Sequence, residues 1–187
     1  MNNELSQKLK EILLHDKWRM EKLEEVRSLG LNDCWIGAGF VRNKVWDFSH
    51  GFATSSLLND VDVIYFDRND FSRERDFGLE NKLFKNESSV NWSVKNQARM
   101  HSKHDHSPYK NCEEAIGHWV ETATCVAVRL TETGELELIA PHGLEDLMNL
   151  WVKPTAAFID FPRREIYLNR MEEKQWVEKW PKLRVFL

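Results

Sequence analysis

The sequence predicts a single α+β domain, in which helices flank a small mixed β-sheet. The chain has 187 residues, of which 42% are hydrophobic. That is enough for one buried core and short for two domains of ordinary size. Segments of strand character alternate with segments whose apolar residues recur every three or four positions, which favours a sheet covered by helices. We therefore expect one domain over residues 1–187, with an N-terminal helix in 1–30 and the core and C-terminal helices in 31–187.

The first third of the chain predicts a helix, a strand, a tight turn, a second helix and a second strand. Residues 5–29 carry apolar side chains at helical spacing, and Gly30 is the expected end of that helix. The apolar residues 34–36 predict a short strand, and residues 40–48 predict a helix. Residues 60–66 are mainly β-branched and aromatic, which is typical of a strand.

The rest of the chain alternates in the same way. Its pattern predicts helices over 71–86, 95–101, 112–119, 143–150 and 169–180, a strand over 90–94, and a hairpin formed by 125–130 and 136–140. The polar stretch 101–111 contains a proline and is expected to be a surface loop.

The composition of the chain limits the kinds of binding partner that we expect. The formal charge is −4, so no global basic field favours a long nucleic acid. No signal peptide or transmembrane segment is visible in the sequence, so we expect a cytoplasmic protein without a membrane partner. The cysteines are odd in number and widely spaced, which predicts reduced, buried thiols at Cys34, Cys112 and Cys125.

The second predicted strand begins with two acids one residue apart. Side chains at alternate positions of a strand point to the same face, so Asp60 and Asp62 should project together while Val61 and Val63 pack inward. Two neighbouring carboxylates repel unless water or a cation separates them, and Mg²⁺ prefers oxygen ligands of this kind. The pair predicts a magnesium site, and a solvated strand edge is the alternative interpretation.

A small-residue turn precedes this strand in the chain. Gly37, Ala38 and Gly39 lie between the first strand and the second helix, where backbone N–H groups and the helix N-terminus can bind phosphate. Arg42 follows in the first turn of the helix and could neutralise the same anion. An ordinary tight turn followed by a solvated helix face is the alternative.

A second polar cluster follows the strand predicted at 90–94. Lys95, Asn96 and Arg99 could contact phosphate or an acceptor, because a helix would place Lys95 and Arg99 on one face. A helix cap with a buried polar network explains the same residues. A zinc site is a weaker hypothesis for the neighbouring loop, whose candidate ligands are His101, His104, Asp105 and His106.

Together these parts resemble the nucleotidyltransferase superfamily that includes DNA polymerase beta. There a strand, a glycine-containing turn and a helix precede a strand with an Asp-hydrophobic-Asp motif. A closer resemblance, to a bacterial family of stand-alone nucleotidyltransferase-like proteins, is carried by the blocks at 37–43, 45–47, 60–63, 92–101, 121–124 and 140–144. It implies magnesium-dependent transfer of a nucleoside monophosphate from a nucleoside triphosphate to a hydroxyl of a small molecule, a protein side chain or an RNA end.

One residue that the superfamily resemblance implies is missing from its expected place. Superfamily enzymes carry a third carboxylate on a neighbouring strand, but residues 90–94 contain no acid. Glu87, Asp105 and Glu137 are possible substitutes. The alternative function is therefore a catalytically silent nucleotide-binding or interaction module with the same fold. For residues 121–124, a turn or capping role and a role in the site are equally compatible with the sequence.

Overall fold

The computed structural model describes residues 2–103 and 106–187. The strands are β1 (Cys34–Gly37), β2 (Val61–Tyr65), β3 (Trp92–Asn96), β4 (Ala127–Leu130), β5 (Leu136–Ile139), β6 (Trp151–Val152) and β7 (Arg184–Val185). The α-helices are α1 (Asn3–Leu14), α2 (Lys17–Arg27), α3 (Gly39–His50), α4 (Arg73–Asn86), α5 (Cys112–Gly117), α6 (Glu145–Met148), α7 (Arg163–Lys174) and α8 (Trp176–Lys179). Within these residues, no helix combines the length and the apolar character needed to cross a membrane.

The central sheet is mixed, as the sequence predicts. Its strand order is β3-β2-β1-β4-β5. Strands β2 and β3 are parallel, and the other neighbours are antiparallel. The helix α4 makes the crossover between the two parallel strands. A separate parallel pair joins β6 to β7 near the end of the chain. The predicted α+β class is thus confirmed.

The two faces of β2 have different environments. Val61, Val63 and Tyr65 belong to the main hydrophobic core. Ile64 belongs to a smaller buried cluster that includes Cys112 of α5. Because side chains alternate along a strand, Asp62 lies on the face of Ile64 and away from the main core.

Some predicted helices differ from those observed. The N-terminal segment forms two helices, because α1 ends at Leu14 and Asp16 caps α2 by accepting a hydrogen bond from the Arg19 N–H at 3.1 Å. The C-terminal helix begins earlier than predicted and is interrupted at Gln175, whose φ is 46°. Apolar spacing alone carries no information about these breaks.

The predicted start of the helix over 95–101 is also wrong. β3 continues through Lys95 to Asn96, whose Cα is in register with Tyr65 of β2, and a 3₁₀ helix follows over Gln97–Lys103. Lys95 and Arg99 therefore do not share a helical face. Pairing with β2 decides where β3 ends, and this pairing is not visible in the local sequence.

Candidate functional site

The turn between β1 and α3 has an unusual backbone at its centre. Ala38 has φ 51° and ψ −124°, in a region that residues with a side chain rarely adopt. Gly37 has a different role, because a Cβ there would lie 2.9 Å from Cη2 of Trp119. A Cβ on Gly39 would have no neighbour closer than 3.6 Å. The strained position is thus the alanine, and Gly37 is needed for close packing.

The N-terminus of α3 has unused hydrogen-bond donors. The N–H groups of Val41 and Arg42 reach the Ala38 carbonyl, at 3.3 and 3.0 Å, and no side chain caps the helix. The N–H groups of Gly39 and Phe40 have no acceptor among the residues that the structure describes. Free N–H groups and the positive end of the helix dipole together favour an anion at this turn.

The two acids of the Asp-Val-Asp motif lie close enough to repel each other. Asp60 is exposed and directly precedes β2, whereas Asp62 is partly buried on it. Burial and the charge of Asp60 raise the pKa of Asp62 to about 6, and the positive charges of Arg42, Arg170 and Lys95 limit the rise. A half-buried acid beside a second acid and several cations is typical of a site that binds charged ligands.

A cavity of about 310 Å³ connects the turn to this acid. Ala38, Asp62 and Lys95 contribute to its wall, so the structure brings these predicted residues together. Its opposite walls come from later parts of the chain and include Tyr109, His118, Trp119, Glu121, Thr124 and Arg170. The volume is at the lower end of the range for small-molecule sites, and charged and aromatic groups share its lining.

The guanidinium of Arg42 is not free to bind a ligand in this cavity. The side chain is buried, and it donates hydrogen bonds to Thr124 Oγ1 at 3.0 Å and to Asn43 Oδ1 at 2.9 and 3.2 Å. The guanidinium carbon lies 4.3 Å from the ring centroid of Trp176 and 5.0 Å from that of Trp46. Burial lowers the pKa of Arg42 to about 10, although the charge of Glu121 opposes the change. Arg42 thus places a fixed positive charge behind the turn.

The three residues predicted around the end of β3 have different positions. Lys95 lies in the cavity wall, where Nζ is 2.8 Å from Oε1 of Glu80. Asn96 is fully buried, and its amide makes four hydrogen bonds, to backbone groups of Asp67, Asp70 and Ala98. These bonds occupy both donors and both acceptor positions, so assigning phosphate binding to Asn96 is a prediction that its contacts do not support.

Arg99 is likewise engaged elsewhere. Its guanidinium pairs with the buried carboxylate of Asp76 on α4. The same carboxylate accepts a hydrogen bond of 2.8 Å from the hydroxyl of Tyr65, which belongs to the main core. Arg99 therefore lies on the core side of β2, and the structure does not bring it to the cavity. Its role is to neutralise a buried acid.

Two residues of the cavity wall were not predicted as ligands. Glu121 has no exposed surface, and its Oε1 accepts a hydrogen bond from Nε of Arg170. Arg170 comes from α7, close to the end of the chain. The resemblance included the segment 121–124, but a turn role explained it equally well. Nothing local distinguishes Arg170 from the other charged residues of a polar helix.

Comparison with known proteins identifies the family of this fold. A sequence model of the family described as Nucleotidyltransferase matches residues 24–185. A solved structure that reveals a CCA-adding enzyme head domain is 37% identical, with a TM-score of 0.84, and the match covers 96% of this chain and 95% of the other. The chain belongs to the nucleotidyltransferase family.

Solved structures with lower sequence identity share the fold of this chain. A tRNA-processing enzyme complex is 15% identical with a TM-score of 0.53, and the match covers 87% of this chain and 42% of the other. The Thermotoga maritima CCA-adding enzyme complexed with tRNA is 12% identical with a TM-score of 0.51, and the match covers 100% and 40% of the two chains. The chain thus spans less than half of these longer proteins. Among curated protein sequences, none matches it.

β3 carries no acid beside Asp62, although the superfamily pattern places a third carboxylate on a neighbouring strand. Ser93 is the residue of β3 in register with Asp62. Two of the three suggested substitutes are engaged elsewhere, since Glu87 bonds Lys22 and Ser89, and Glu137 pairs with Arg129, while Asp105 lies outside the described residues.

Only part of the suggested zinc site falls within the residues that the structure describes. Asp105 and His104 lie outside the described residues. Within residues 2–103 and 106–187, no three histidine, cysteine or acidic side chains are grouped as metal ligands.

Proposed function

We propose that this protein is a magnesium-dependent nucleotidyltransferase, which transfers a nucleoside monophosphate from a nucleoside triphosphate to an acceptor hydroxyl. One observation carries the proposal. Asp62, which Asp60 repels, lines the same cavity as the Ala38 turn, where the N–H groups of Gly39 and Phe40 have no acceptor among the described residues. One acid of the pair and a turn with free N–H groups thus share a cavity, which supports the binding of a metal and a phosphate there.

The residues present fit a divalent cation. The acid pair offers hard oxygen donors, and their mutual repulsion would fall when a cation neutralises them. Asp60 and Asp62 would hold the ion, and Mg²⁺ bound there would supply charge neutralisation for the phosphates. The exposed position of Asp60 leaves room for water and substrate oxygens as further ligands.

The other residues of the site bind and orient the nucleotide. The free N–H groups after Ala38 receive a phosphate oxygen, and Gly37 lets Trp119 approach the turn closely. Lys95 and the buried Arg42 add positive charge near Asp62. Tyr109 and His118 are stacked with ring centroids 5.1 Å apart, and the aromatic wall that they form with Trp119 offers a surface for a base.

The reaction is an in-line displacement at the α-phosphorus. The acceptor oxygen forms a bond to that phosphorus and gives its proton to solvent water, while the bond from phosphorus to the pyrophosphate oxygen breaks and pyrophosphate leaves. The N–H groups at the start of α3 and the nearby cations stabilise negative charge on the phosphates. Positioning and charge stabilisation supply most of the catalysis that such a reaction needs.

The acceptor is a small molecule, a protein side chain or an RNA end. The solved structures with this fold include CCA-adding and tRNA-processing enzymes, so tRNA belongs in the acceptor panel. The formal charge of −4 argues against a long nucleic acid as acceptor. We place the protein in the cytoplasm, where nucleoside triphosphates are available.

A second candidate function has a specific observation in its favour. Ser93 occupies the position beside Asp62, on the strand where superfamily enzymes carry a third acid. A protein that binds the metal nucleotide without transferring it would have the same turn, acid pair and cavity. In that case the nucleotide would act as a bound signal or a structural ligand.

Calorimetry and product analysis separate these functions. Each nucleoside triphosphate is titrated with Mg²⁺, and pyrophosphate release is then measured with small hydroxyl compounds, proteins and tRNA. Binding with turnover supports the enzyme, binding without turnover supports the silent module, and no binding contradicts both. The double variant Asp60→Asn with Asp62→Asn should lose metal-dependent binding and keep its circular dichroism spectrum. Unchanged binding by that variant would show that the metal site is elsewhere.

A further inference from the structure

The guanidinium of Arg170 has an anchored side and a free side. Its Nε donates a hydrogen bond to Oε1 of Glu121. Neither Nη1 nor Nη2 has an acceptor among the residues that the structure describes. The side chain is 33% exposed and lines the cavity that contains Asp62. Two N–H₂ groups are therefore available at the wall of the candidate nucleotide site.

The anchor of Arg170 is rigid. Glu121 has no exposed surface, and its backbone is fixed by an isolated bridge to Pro154. Its second oxygen, Oε2, is buried without a hydrogen-bond partner among the described residues. A buried carboxylate with one free oxygen holds its cationic partner strongly, because loss of that partner would leave a bare charge in the interior. The direction of the Arg170 guanidinium is thus fixed before any ligand binds.

The helix that carries Arg170 is also anchored. Tyr167 is one turn before Arg170 on α7 and is almost completely buried. Its hydroxyl lies 3.0 Å from the Val152 carbonyl and 2.9 Å from the Phe186 carbonyl. These contacts join α7 to β6 and to the residue that follows β7. Arg170 therefore projects from a fixed element, as a specific ligand-binding residue should.

The other cations near Asp62 are less available. The guanidinium of Arg42 is buried and bonded to Thr124 and Asn43. The ammonium of Lys95 is bonded to Glu80 and to the Val94 carbonyl. Arg170 combines contact with the cavity, a preset orientation and free donors. Its positive charge also acts on both Asp62 and Arg42, which places it in the same electrostatic cluster as the acid pair.

We propose that Arg170 binds the triphosphate of the nucleotide through its two free N–H₂ groups, and that Glu121 is its positioning residue. This inference rests on the proposed function. Guanidinium groups suit this task because their planar fork can donate two parallel hydrogen bonds to phosphate oxygens. A nucleoside without phosphates gains nothing from Arg170, so the residue sets the preference for triphosphate over nucleoside.

The experiment compares Arg170→Met and Arg170→Lys with wild type. The probes are inorganic tripolyphosphate with Mg²⁺, and each nucleoside triphosphate beside its nucleoside. Loss of charge-assisted hydrogen bonds should weaken the Kd of the triphosphate probes by about tenfold to a hundredfold in Arg170→Met. Arg170→Lys keeps the ion pair with Glu121 and hence the fold, and it should weaken these Kd values by roughly threefold to tenfold because the fork is lost. Affinity for nucleosides should not change.

The matched control is Arg164, an exposed arginine of the same helix, whose Nη1 donates a hydrogen bond of 3.4 Å to the Ile159 carbonyl. Arg164→Met and Arg164→Lys remove the same groups and should leave every Kd unchanged. The role of Glu121 has its own test. Glu121→Gln retains an oxygen that can accept from Nε and should keep most of the triphosphate affinity, whereas Glu121→Ala should lose it.

The outcomes are distinct. If wild type binds the triphosphate probes and folded Arg170→Lys binds them equally well, Arg170 serves only to neutralise Glu121 and the inference is wrong, while the proposed function stands. If wild type binds no triphosphate, the proposed function itself fails. An equal loss in the Arg164 variants would assign the effect to net charge and would also overturn the inference.

Discussion

Neutralising Asp62 should make the metal-free protein more stable at neutral pH, although this residue is one of the expected metal ligands. The substitution Asp62→Asn keeps the shape of the side chain and removes its charge. Burial and the nearby Asp60 raise the pKa of the native carboxyl from 3.8 to about 6. For an acid whose pKa is raised on folding, ionisation destabilises the folded state. The cost is absent below the unfolded pKa, grows between the two values and is complete above the folded one.

The magnitude follows from this difference. A shift of about two pKa units corresponds to about 3 kcal/mol of unfolding free energy. Asp62 is only partly buried, so water screens part of its charge and we expect a gain of about 1–2 kcal/mol. For a chain of this size, that gain raises the melting temperature by about 2–8 °C. At pH 4 most of the gain should be gone, because the native carboxyl is already protonated there.

Thermal and urea unfolding in EDTA, at pH 7.5 and at pH 4, would measure this effect. Glu172→Gln is the matched control, because it removes one carboxylate from the exposed surface of α7 and should change stability little. Addition of Mg²⁺ should then stabilise wild type more than Asp62→Asn. No gain at pH 7.5, or the same gain at both pH values, would refute the reasoning.

Two further predictions concern the turn and the thiols. Gly37→Ala should lower the unfolding free energy by about 1–3 kcal/mol in urea titrations, because its Cβ would lie 2.9 Å from Trp119. Gly39→Ala is the control, and it should be neutral or stabilising because the nearest atom to its Cβ would be 3.6 Å away. Equal effects of the two substitutions would contradict this packing role for Gly37. Burial raises the pKa of every thiol, that of Cys34 to about 12. Native protein at pH 8 should therefore react slowly with a disulfide reagent, and its three thiols should react only after denaturation. A thiol of the native protein that reacts fast would contradict the burial.

The acid pair and the turn were predictable because both depend on local chain geometry. Alternation along a strand predicts that Asp60 and Asp62 lie on one side, but β2 begins only at Val61. Asp62 lines the cavity of the turn, whereas Asp60 lines a neighbouring pocket, and the charge of Asp60 still acts on Asp62. Small residues between a strand and a helix similarly predict a turn with free N–H groups. The position of the strain was not predictable, since it lies on Ala38 and not on a glycine. The path of the chain after the turn decides which residue takes the positive φ.

The cations of the site were harder to predict. Of the arginines proposed for phosphate, Arg42 is buried and Arg99 pairs with Asp76. Asn96, at the end of β3, is saturated by backbone groups of Asp67, Asp70 and Ala98. A charged residue near a motif can point to either side of a sheet, and its partners are set by elements elsewhere in the sequence. Sequence spacing therefore predicts phosphate contacts for Arg99 and Asn96 that their observed partners do not support.

The sequence by itself determined the α+β class, the nucleotidyltransferase resemblance and the acid pair, because hydrophobic periodicity and strand alternation act over a few residues. Tertiary structure decided which charges share the cavity. Glu121 and Arg170 lie far apart in the chain, and they meet because Glu121 forms a bridge to Pro154 while Tyr167 holds α7 against Val152 of β6. Contacts between distant segments depend on the packing of the whole core, and no local pattern encodes them.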